Sequence, residues 1–289
     1  MSAIGVIECG VPSDNAHDPN KPEGYLCQVG PQLSCAACCG LYNLKEPSRP
    51  AVMQLVAERT RQFAETARDV DAILGFKSAQ EARLAPHLRY ADFYHCPFVG
   101  LIGPQKAAVG CMLHPMAAGN QAIDYRSLSH YGALACGLYF CPATRHLPPA
   151  VSTILKTGAA DWYAYGLLVS EYRLLTTVFD ELTSRHGIHL PELENRSPRK
   201  AAAVDNILEN LKLNCPYRTH NGRSLCHYLF EGGLYTRTPV SYPGRQPSPA
   251  HDRIFVELVS VFNAPADQVA AENLINATIA DLAESVGNP

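Results

Sequence analysis

Three cysteines within five residues constrain this chain more than any other sequence feature. They form the segment Cys35-Ala-Ala-Cys38-Cys39-Gly40. Further cysteines next to glycine, proline or phenylalanine follow at Cys96, Cys111, Cys136 and Cys141. Thiolates are soft metal ligands, and turns at glycine and proline let several sulfur atoms converge on one point. The sequence therefore predicts a metal-thiolate region in the amino-terminal half.

The number and distribution of cysteines favour metal binding over disulfides. The chain has 289 residues and 11 cysteines, of which nine lie within the first 141 residues. A disulfide scaffold is typical of a small secreted chain with an even cysteine count, whereas this chain is large and shows no secretory signal. We therefore expect a cytoplasmic protein whose cysteines are thiols.

Charge and hydropathy exclude some partners. The net charge is −3 and the isoelectric point is about 6.4, so the sequence gives no electrostatic reason to expect nucleic acid or an anionic membrane surface. No uncharged apolar stretch reaches the roughly 18 residues that suggest a membrane span. We expect neither a nucleic-acid partner nor a membrane partner.

Hydrophobic periodicity predicts a mainly α protein. Helices are expected over residues 51–74, 78–88, 160–185, 197–213, 249–262 and 265–285, and a short hairpin over residues 99–102 and 107–112. In the first helix Val52, Val56 and Phe63 face the core, and Arg59 is expected on the exposed side. Strands and helices do not alternate regularly, so a doubly wound α/β sheet is not expected.

The composition changes after residue 149 and suggests the domain organisation. We expect an irregular amino-terminal arm over residues 1–34, a Cys-rich metal-binding or iron–sulfur domain with an inserted helix over residues 35–149, and a helical domain over residues 150–289. The predicted fold is thus an irregular Cys-rich metal-binding region with a few short strands, packed on a helical, bundle-like carboxyl-terminal half.

Cysteine spacing suggests how the ligands are shared. Cys35 and Cys38 are separated by two residues, the usual gap for chelating one ion or cluster, and Cys39 points elsewhere because adjacent side chains diverge. This favours two neighbouring sites, or one site with a further thiol beside it. His114 follows Cys111 at the same spacing, and it is either a ligand or a hydrogen-bond donor to a sulfur.

The order of these motifs resembles the CxxCxxCC cysteine-cluster proteins, often called YkgJ-type and described as zinc- or iron-chelating. The resemblance covers about residues 32–142 and is divergent, because Gln32 stands where the family has a cysteine. Whether Cys27 replaces that cysteine stays open. The resemblance implies that the ligands are Cys35, Cys38, Cys39, Cys96, Cys111 and Cys136. Cys141 is added to this set from its spacing alone.

Three functions follow as hypotheses. The first is an iron–sulfur protein, with a 4Fe–4S cluster and an electron-transfer or redox-linked role, because adjacent cysteines and scattered Cys-Pro elements suit a cluster. The second is a zinc-stabilised protein whose helical half binds a protein partner. The third is a metal-dependent enzyme with its site between the two halves. A similar cysteine pattern in flagellin lysine methylases implies methyl transfer as its chemistry. The sequence leaves enzymatic activity, a redox partner and the oligomeric state open.

Overall fold

The computed structural model describes residues 24–103, 105–188, 198–218, 229–231, 234–236, 239–243 and 249–286. Within these ranges the protein is mainly helical, as predicted. The helices are α1 (Arg49–Ala64), α2 (Val70–Leu84), α3 (Gly132–Leu138), α4 (Ala143–His146), α5 (Pro149–Gly158), α6 (Trp162–Val169), α7 (Tyr172–His186), α8 (Pro198–Asn206), α9 (Asp252–Leu258) and α10 (Pro265–Val286). The strands are β1 (Val99–Ile102), β2 (Ala108–Cys111), β3 (Leu229–Glu231) and β4 (Leu234–Thr236).

The sequence predicts one helix over residues 51–74, but the structure has two helices there, separated by residues 65–69. α1 ends at Ala64, and Asp69 caps α2 by accepting a hydrogen bond from the Ala72 N–H at 2.8 Å. A local side-chain cap therefore interrupts a hydrophobic pattern that would otherwise suit one long helix. The predicted start of a helix at residue 78 is also wrong, because α2 continues through this position.

The burial of Arg59 corrects a second prediction for α1. This residue is 1% exposed and lies on the face that also buries Val56 and Phe63. Its guanidinium Nη1 is 2.8 Å from His95 Nε2 and donates to the Cys96 carbonyl at 3.3 Å. Arg59 is therefore buried against the Cys-rich region rather than exposed.

The predicted hairpin is confirmed. β1 and β2 pair antiparallel with Val99 opposite Cys111, so this cysteine sits at the end of the second strand. The backbone N–H of Leu101 donates to Thr60 Oγ1 on α1 at 2.7 Å. This contact attaches the hairpin to the same helix that carries Arg59. β3 and β4 form a second antiparallel pair.

The predicted helix over residues 160–185 divides into α6 and α7. The Ser170 hydroxyl donates to the Leu167 carbonyl at 2.6 Å, and the buried Glu171 carboxylate accepts from Lys212 Nζ at 2.7 Å. A side chain that bonds to the backbone, together with a buried ion pair, thus marks a break that periodicity does not reveal.

The remaining helices follow the predictions in part. α10 confirms the predicted helix over residues 265–285, and α9 is shorter than the predicted 249–262. The predicted helix over 197–213 corresponds to α8 followed by a π-helix at Ile207–Leu213, while residue 197 lies outside the described residues. α5 was not among the predicted helices, although Pro149 occupies a first-turn position where proline is tolerated.

One connected cluster of buried apolar side chains runs from Leu26 to Leu282. Tyrosine hydroxyls join the Cys-rich region to α6, where every residue is buried. Tyr163 donates to the Pro47 carbonyl at 2.6 Å, and Tyr165 donates to the Leu26 carbonyl at 3.0 Å. α6 therefore packs against the Cys-rich region and is hydrogen-bonded to it. Of the helices that the structure describes, none has the length and apolar character needed to cross a membrane.

Candidate metal centre

The turn at residues 35–40 is closed by its own backbone. The Cys35 N–H donates to the Cys27 carbonyl at 2.7 Å, and the Gly40 N–H donates to the Ala37 carbonyl at 2.9 Å. The Cys35 sulfur accepts a hydrogen bond from the Ala37 N–H at 3.5 Å. These bonds fix the direction in which each thiol of the turn leaves the backbone.

The two adjacent cysteines of this turn have different neighbours. The Cys38 thiol is hydrogen-bonded to the Cys141 thiol, which is the largest influence on the pKa of Cys38. After burial, the largest influences on the pKa of Cys39 are the charges of Cys96 and Cys111. One peptide unit therefore separates two distinct thiol environments.

Gly40 lets the segment before Cys96 approach the turn. Its φ is +79°, and a Cβ at this position would lie 2.1 Å from the Tyr94 carbonyl oxygen. The Cys96 N–H donates to the Cys39 carbonyl at 2.8 Å. A residue with a side chain would collide with this backbone, so glycine is required for Cys39 and Cys96 to lie side by side.

The first thiol group consists of four cysteines: Cys27, Cys35, Cys38 and Cys141. The pKa of Cys35 is raised to about 12, mainly by burial and to a smaller extent by the charges of Cys141 and Cys27. Besides its hydrogen bond to Cys141, Cys38 also interacts with Cys35. All four thiols are thus linked by electrostatic interaction or hydrogen bonding.

Close backbone approaches bring Cys27 and Cys141 to this group. Gly24 has a φ of +83°, and a Cβ there would lie 2.7 Å from the Thr144 carbonyl oxygen. Thr144 in turn donates from its N–H to the Cys141 carbonyl at 3.0 Å. Residues 24–34, assigned from sequence to an irregular arm, therefore contact the Cys-rich region. Residues 1–23 of that arm lie outside the described residues.

The second thiol group consists of four cysteines: Cys39, Cys96, Cys111 and Cys136. The pKa of Cys96 is raised to about 12, mainly by burial and to a smaller extent by the charges of Cys111 and Cys136. The pKa of Cys39 is raised first by burial, then by the charges of Cys96 and Cys111, and after these by Cys35 of the first group and by Cys136. Cys136 lies on α3, where its sulfur is 3.2 Å from Ser129 Oγ.

Backbone N–H groups point at several sulfur atoms of both groups. Phe98 supplies such a bond to Cys96, Leu113 to Cys111, and both Ala143 and Thr144 to Cys141. Proline follows Cys96 and Cys141 and offers no N–H of its own, so the next residues provide the donors. Each of these bonds lowers the thiol pKa and favours the thiolate, which is the form that binds metals.

Burial opposes ionisation at most of the described thiols. It is the largest cause that raises the pKa of Cys111 to about 11. Cys141 is the exception, because its pKa is lowered overall. Its pKa is lowered to about 6 because the Cys38 thiol donates a hydrogen bond and backbone N–H groups add to it. Burial thus favours the neutral form of Cys35, Cys39, Cys96 and Cys111, and hydrogen bonds favour the thiolate of Cys141. A bound cation would reverse this balance, because it stabilises thiolates directly.

Charged side chains distinguish the two groups. The positive charge of Arg59 interacts with Cys96, and that of Arg126 interacts with Cys111 and Cys136. Arg126 is also paired with Asp124, whose pKa it lowers to about 2. For the first group, the leading influences on the thiols are burial, hydrogen bonds and other thiols.

The predicted residue His114 contributes through its backbone. Its N–H is among the donors that lower the pKa of Cys111. The ring Nδ1 accepts a hydrogen bond from the Met116 N–H at 3.1 Å, which leaves the proton of a neutral ring on Nε2. In this arrangement neither ring nitrogen offers a lone pair to a metal. The prediction that the His114 ring is a ligand or a hydrogen-bond donor to a sulfur stays a prediction.

The seven cysteines predicted as ligands are all free thiols in the described structure. In the part of the chain that the structure describes, no three His, Cys, Asp or Glu side chains form a group that could hold a metal ion as they stand. The two thiol groups are candidate centres by their donor chemistry and by the interactions among their thiols, and a metal ion would require their sulfur atoms to move closer together. Cys9 and Cys226 lie outside the described residues.

Sequence reasoning missed Arg59 and left Cys27 open. The only sequence signal for Cys27 is its position eight residues before Cys35. In the structure, an isolated antiparallel bridge between residues 28 and 34 brings these two cysteines together. For Arg59 the signal is its helical spacing from Val56 and Phe63, both of which are apolar. No protein-family model, curated protein or solved structure matches this chain.

Proposed function

We propose that this protein binds two iron–sulfur clusters, one in each thiol group, and has an electron-transfer or redox-linked role. The observation that carries the proposal is the division of eight cysteines into two groups of four thiols. Four thiolates are the complete ligand set of a cubane cluster. The two groups share no cysteine, so each can serve one centre without competing for ligands.

The donor chemistry of both groups fits such a cluster. Soft thiolates select iron–sulfur clusters, zinc or copper(I), and hydrogen bonds to the sulfur atoms together with burial tune cluster potentials. The N–H groups of Phe98, Leu113 and Ala143 provide those hydrogen bonds. Buried Tyr42 and Tyr165, which interact with Cys35, restrict water on one side of the first group.

A bound cluster would supply reversible one-electron chemistry, and the chain would provide its ligands, hydrogen bonds and counter-charges. The reducing environment that preserves free thiols is the cytoplasm, which is where we propose the protein acts. The resemblance to the YkgJ-type proteins supports metal chelation as the shared property, and a redox protein would be the partner that delivers or accepts the electron.

A specific observation favours zinc as the second candidate for the first group. The Cys38 and Cys141 thiols are in hydrogen-bond contact. In a tetrahedral zinc site with Zn–S bonds of about 2.3 Å, two ligand sulfurs lie about 3.8 Å apart, so such a site needs pairs of neighbouring thiols. Zinc at this group would stabilise the fold without electron transfer. A metal-dependent enzyme, including one that transfers methyl groups, is the remaining alternative.

Metal and sulfide analysis of the full chain purified without oxygen tests the proposal. We expect iron and acid-labile sulfide at about eight atoms each per chain, and a broad absorbance near about 400 nm that fades in air. A colourless protein with about two zinc ions and no sulfide would replace the iron–sulfur proposal with the zinc alternative. Absence of both metals would overturn both.

Cys27 provides a second test, because the sequence leaves its role open. We expect Cys27→Ser to lower the bound iron to about half, since the first group would lose a ligand. The matched control is Gln32→Ser, at the position where the related family has a cysteine. Unchanged iron in the Cys27→Ser protein would remove this residue from the ligand set.

A further inference from the structure

Arg59 is a buried cation beside the second thiol group. It is 1% exposed, and its Nη1 lies 2.8 Å from His95 Nε2 and 3.3 Å from the Cys96 carbonyl oxygen. Within the described residues its Nε and Nη2 atoms have no hydrogen-bond partner. The polar contacts that the structure gives Arg59 are thus to neutral groups rather than to a carboxylate.

A buried guanidinium needs a negative counter-charge. A guanidinium keeps its proton at neutral pH, so Arg59 is a cation in the protein interior. An uncompensated charge in the protein interior is costly, and an arginine does not relieve the cost by losing its proton. Arg59 donates to the carbonyl of Cys96, which is a member of the second thiol group. The second thiol group in its thiolate form is therefore the available counter-charge.

Arg126 adds a second positive charge beside this group. Its Nε donates to Asp124 Oδ1 at 2.9 Å and its Nη2 donates to Oδ2 at 2.6 Å, so part of its charge is neutralised. Its side chain is largely sheltered from solvent, and it interacts with Cys111 and Cys136. Because Arg59 lacks such a carboxylate partner, we expect it to have the larger effect.

We propose that Arg59 is the counter-charge of a metal–thiolate centre at the second thiol group, and that it makes this centre easier to reduce than the one at the first group. This inference rests on the proposed function. Four thiolates around a cubane cluster or a zinc ion carry a net charge of about −2. Adding one electron from a low-potential donor makes a cluster more negative, without forming or breaking a bond. A nearby fixed cation stabilises that reduced state.

Redox titration of the cluster-loaded full chain tests this inference. Titration with dithionite, followed by electron paramagnetic resonance, gives the midpoint potential of each cluster. We expect Arg59→Met to shift the potential of one cluster to more negative values and to leave the other unchanged. The matched control is Arg61→Met, which removes an exposed charge from the same helix and should shift neither potential.

Two further variants keep the inference testable if Arg59→Met does not fold. Arg59→Lys retains the charge and should preserve the potential, while Arg126→Gln should lower the same potential by a smaller amount. Repeating the titration in a Cys35→Ser background, which removes a ligand of the first group, identifies the affected cluster as the second. Unchanged potentials in Arg59→Met and Arg126→Gln, or equal shifts of both clusters, would overturn the inference. A wild-type protein without iron would instead refute the proposed function.

Discussion

The two thiol groups meet at the adjacent residues Cys38 and Cys39, and they differ in the side chains and backbone groups around them. In the first group, the Cys38 thiol and backbone N–H groups lower the pKa of Cys141 to about 6. The second group has buried Arg59 and partly paired Arg126 beside it. Backbone hydrogen bonds reach sulfur atoms of both groups, and the two arginine charges act on the second.

This difference shows how one turn can serve two chemically distinct environments. Cys38 and Cys39 are adjacent, yet one interacts most with Cys141 and the other with Cys96. A hydrogen bond stabilises one particular thiolate, whereas a buried cation stabilises the negative charge of a whole group. We infer that centres bound at the two groups differ in their response to protons and to electrons.

The largest expected effect comes from replacing the two adjacent cysteines separately. Cys38→Ser and Cys39→Ser should each reduce bound metal to about half, because each removes one ligand from a different group of four. The double variant should lose nearly all metal. Metal analysis and the absorption spectrum of each protein check this result.

The matched control for these variants is Cys215→Ser, since Cys215 belongs to neither group. It should retain full metal content. If Cys38→Ser removed all metal while Cys39→Ser removed none, the chain would hold a single centre and the comparison between two groups would be lost.

A smaller effect is expected from Gly40→Ala. The new methyl group would collide with the Tyr94 carbonyl at a positive φ, so we expect the free energy of unfolding to fall by about 3 kcal/mol or more. Because this contact aligns Cys39 with Cys96, metal at the second group should be lost first. Denaturant unfolding and metal analysis measure the two effects.

Gly75→Ala is the control for this substitution. Gly75 lies within α2, and a Cβ there would have no neighbour within 4 Å. Alanine should therefore stabilise the helix by up to about 1 kcal/mol. Equal destabilisation by both substitutions would indicate that the close approach at Gly40 has no special role.

The smallest expected effect is a difference in proton release. At pH 7, zinc binding to metal-free Cys39→Ser protein, which retains the first group, should release about one proton fewer than binding to Cys38→Ser protein. The reason is that the pKa of Cys141 is lowered to about 6, so this thiol is already ionised. Titration in weakly buffered solution measures the released protons.

The difference in proton release between the two variants should depend on pH, because it follows from the lowered pKa of Cys141. A lowered thiol pKa stabilises the fold at pH values above the ordinary thiol pKa, and this stabilisation is lost as the pH falls through about 6. The difference in proton release should therefore vanish below that pH. Equal release from both variants at pH 7 would contradict the assignment of a thiolate to Cys141.

Much of the fold could be predicted from hydrophobic periodicity, including the hairpin and α10. The errors lie where a specific interaction interrupts the pattern. Asp69 caps a new helix in the middle of one apolar pattern, and the Glu171–Lys212 ion pair accompanies the break in another. Single capping residues and long-range ion pairs leave little trace in periodicity, so the existence of helices was easier to predict than their ends.

The cysteines of the candidate site could be identified from spacing, but their division into two groups could not. That division depends on which backbone segments meet, at Gly40 with Tyr94 and at Gly24 with Thr144. The burial of Arg59 was missed because a charged side chain in an amphipathic helix is normally placed towards solvent. These relations become visible only when distant segments are folded together.

A crystal structure of the full chain purified without oxygen, with anomalous scattering recorded at the iron and zinc edges, tests the central claim most directly. We predict two separate metal centres. One should be surrounded by Cys27, Cys35, Cys38 and Cys141, and the other by Cys39, Cys96, Cys111 and Cys136. A single centre, a different partition of these eight thiols, or thiols joined in disulfides without metal would contradict the account.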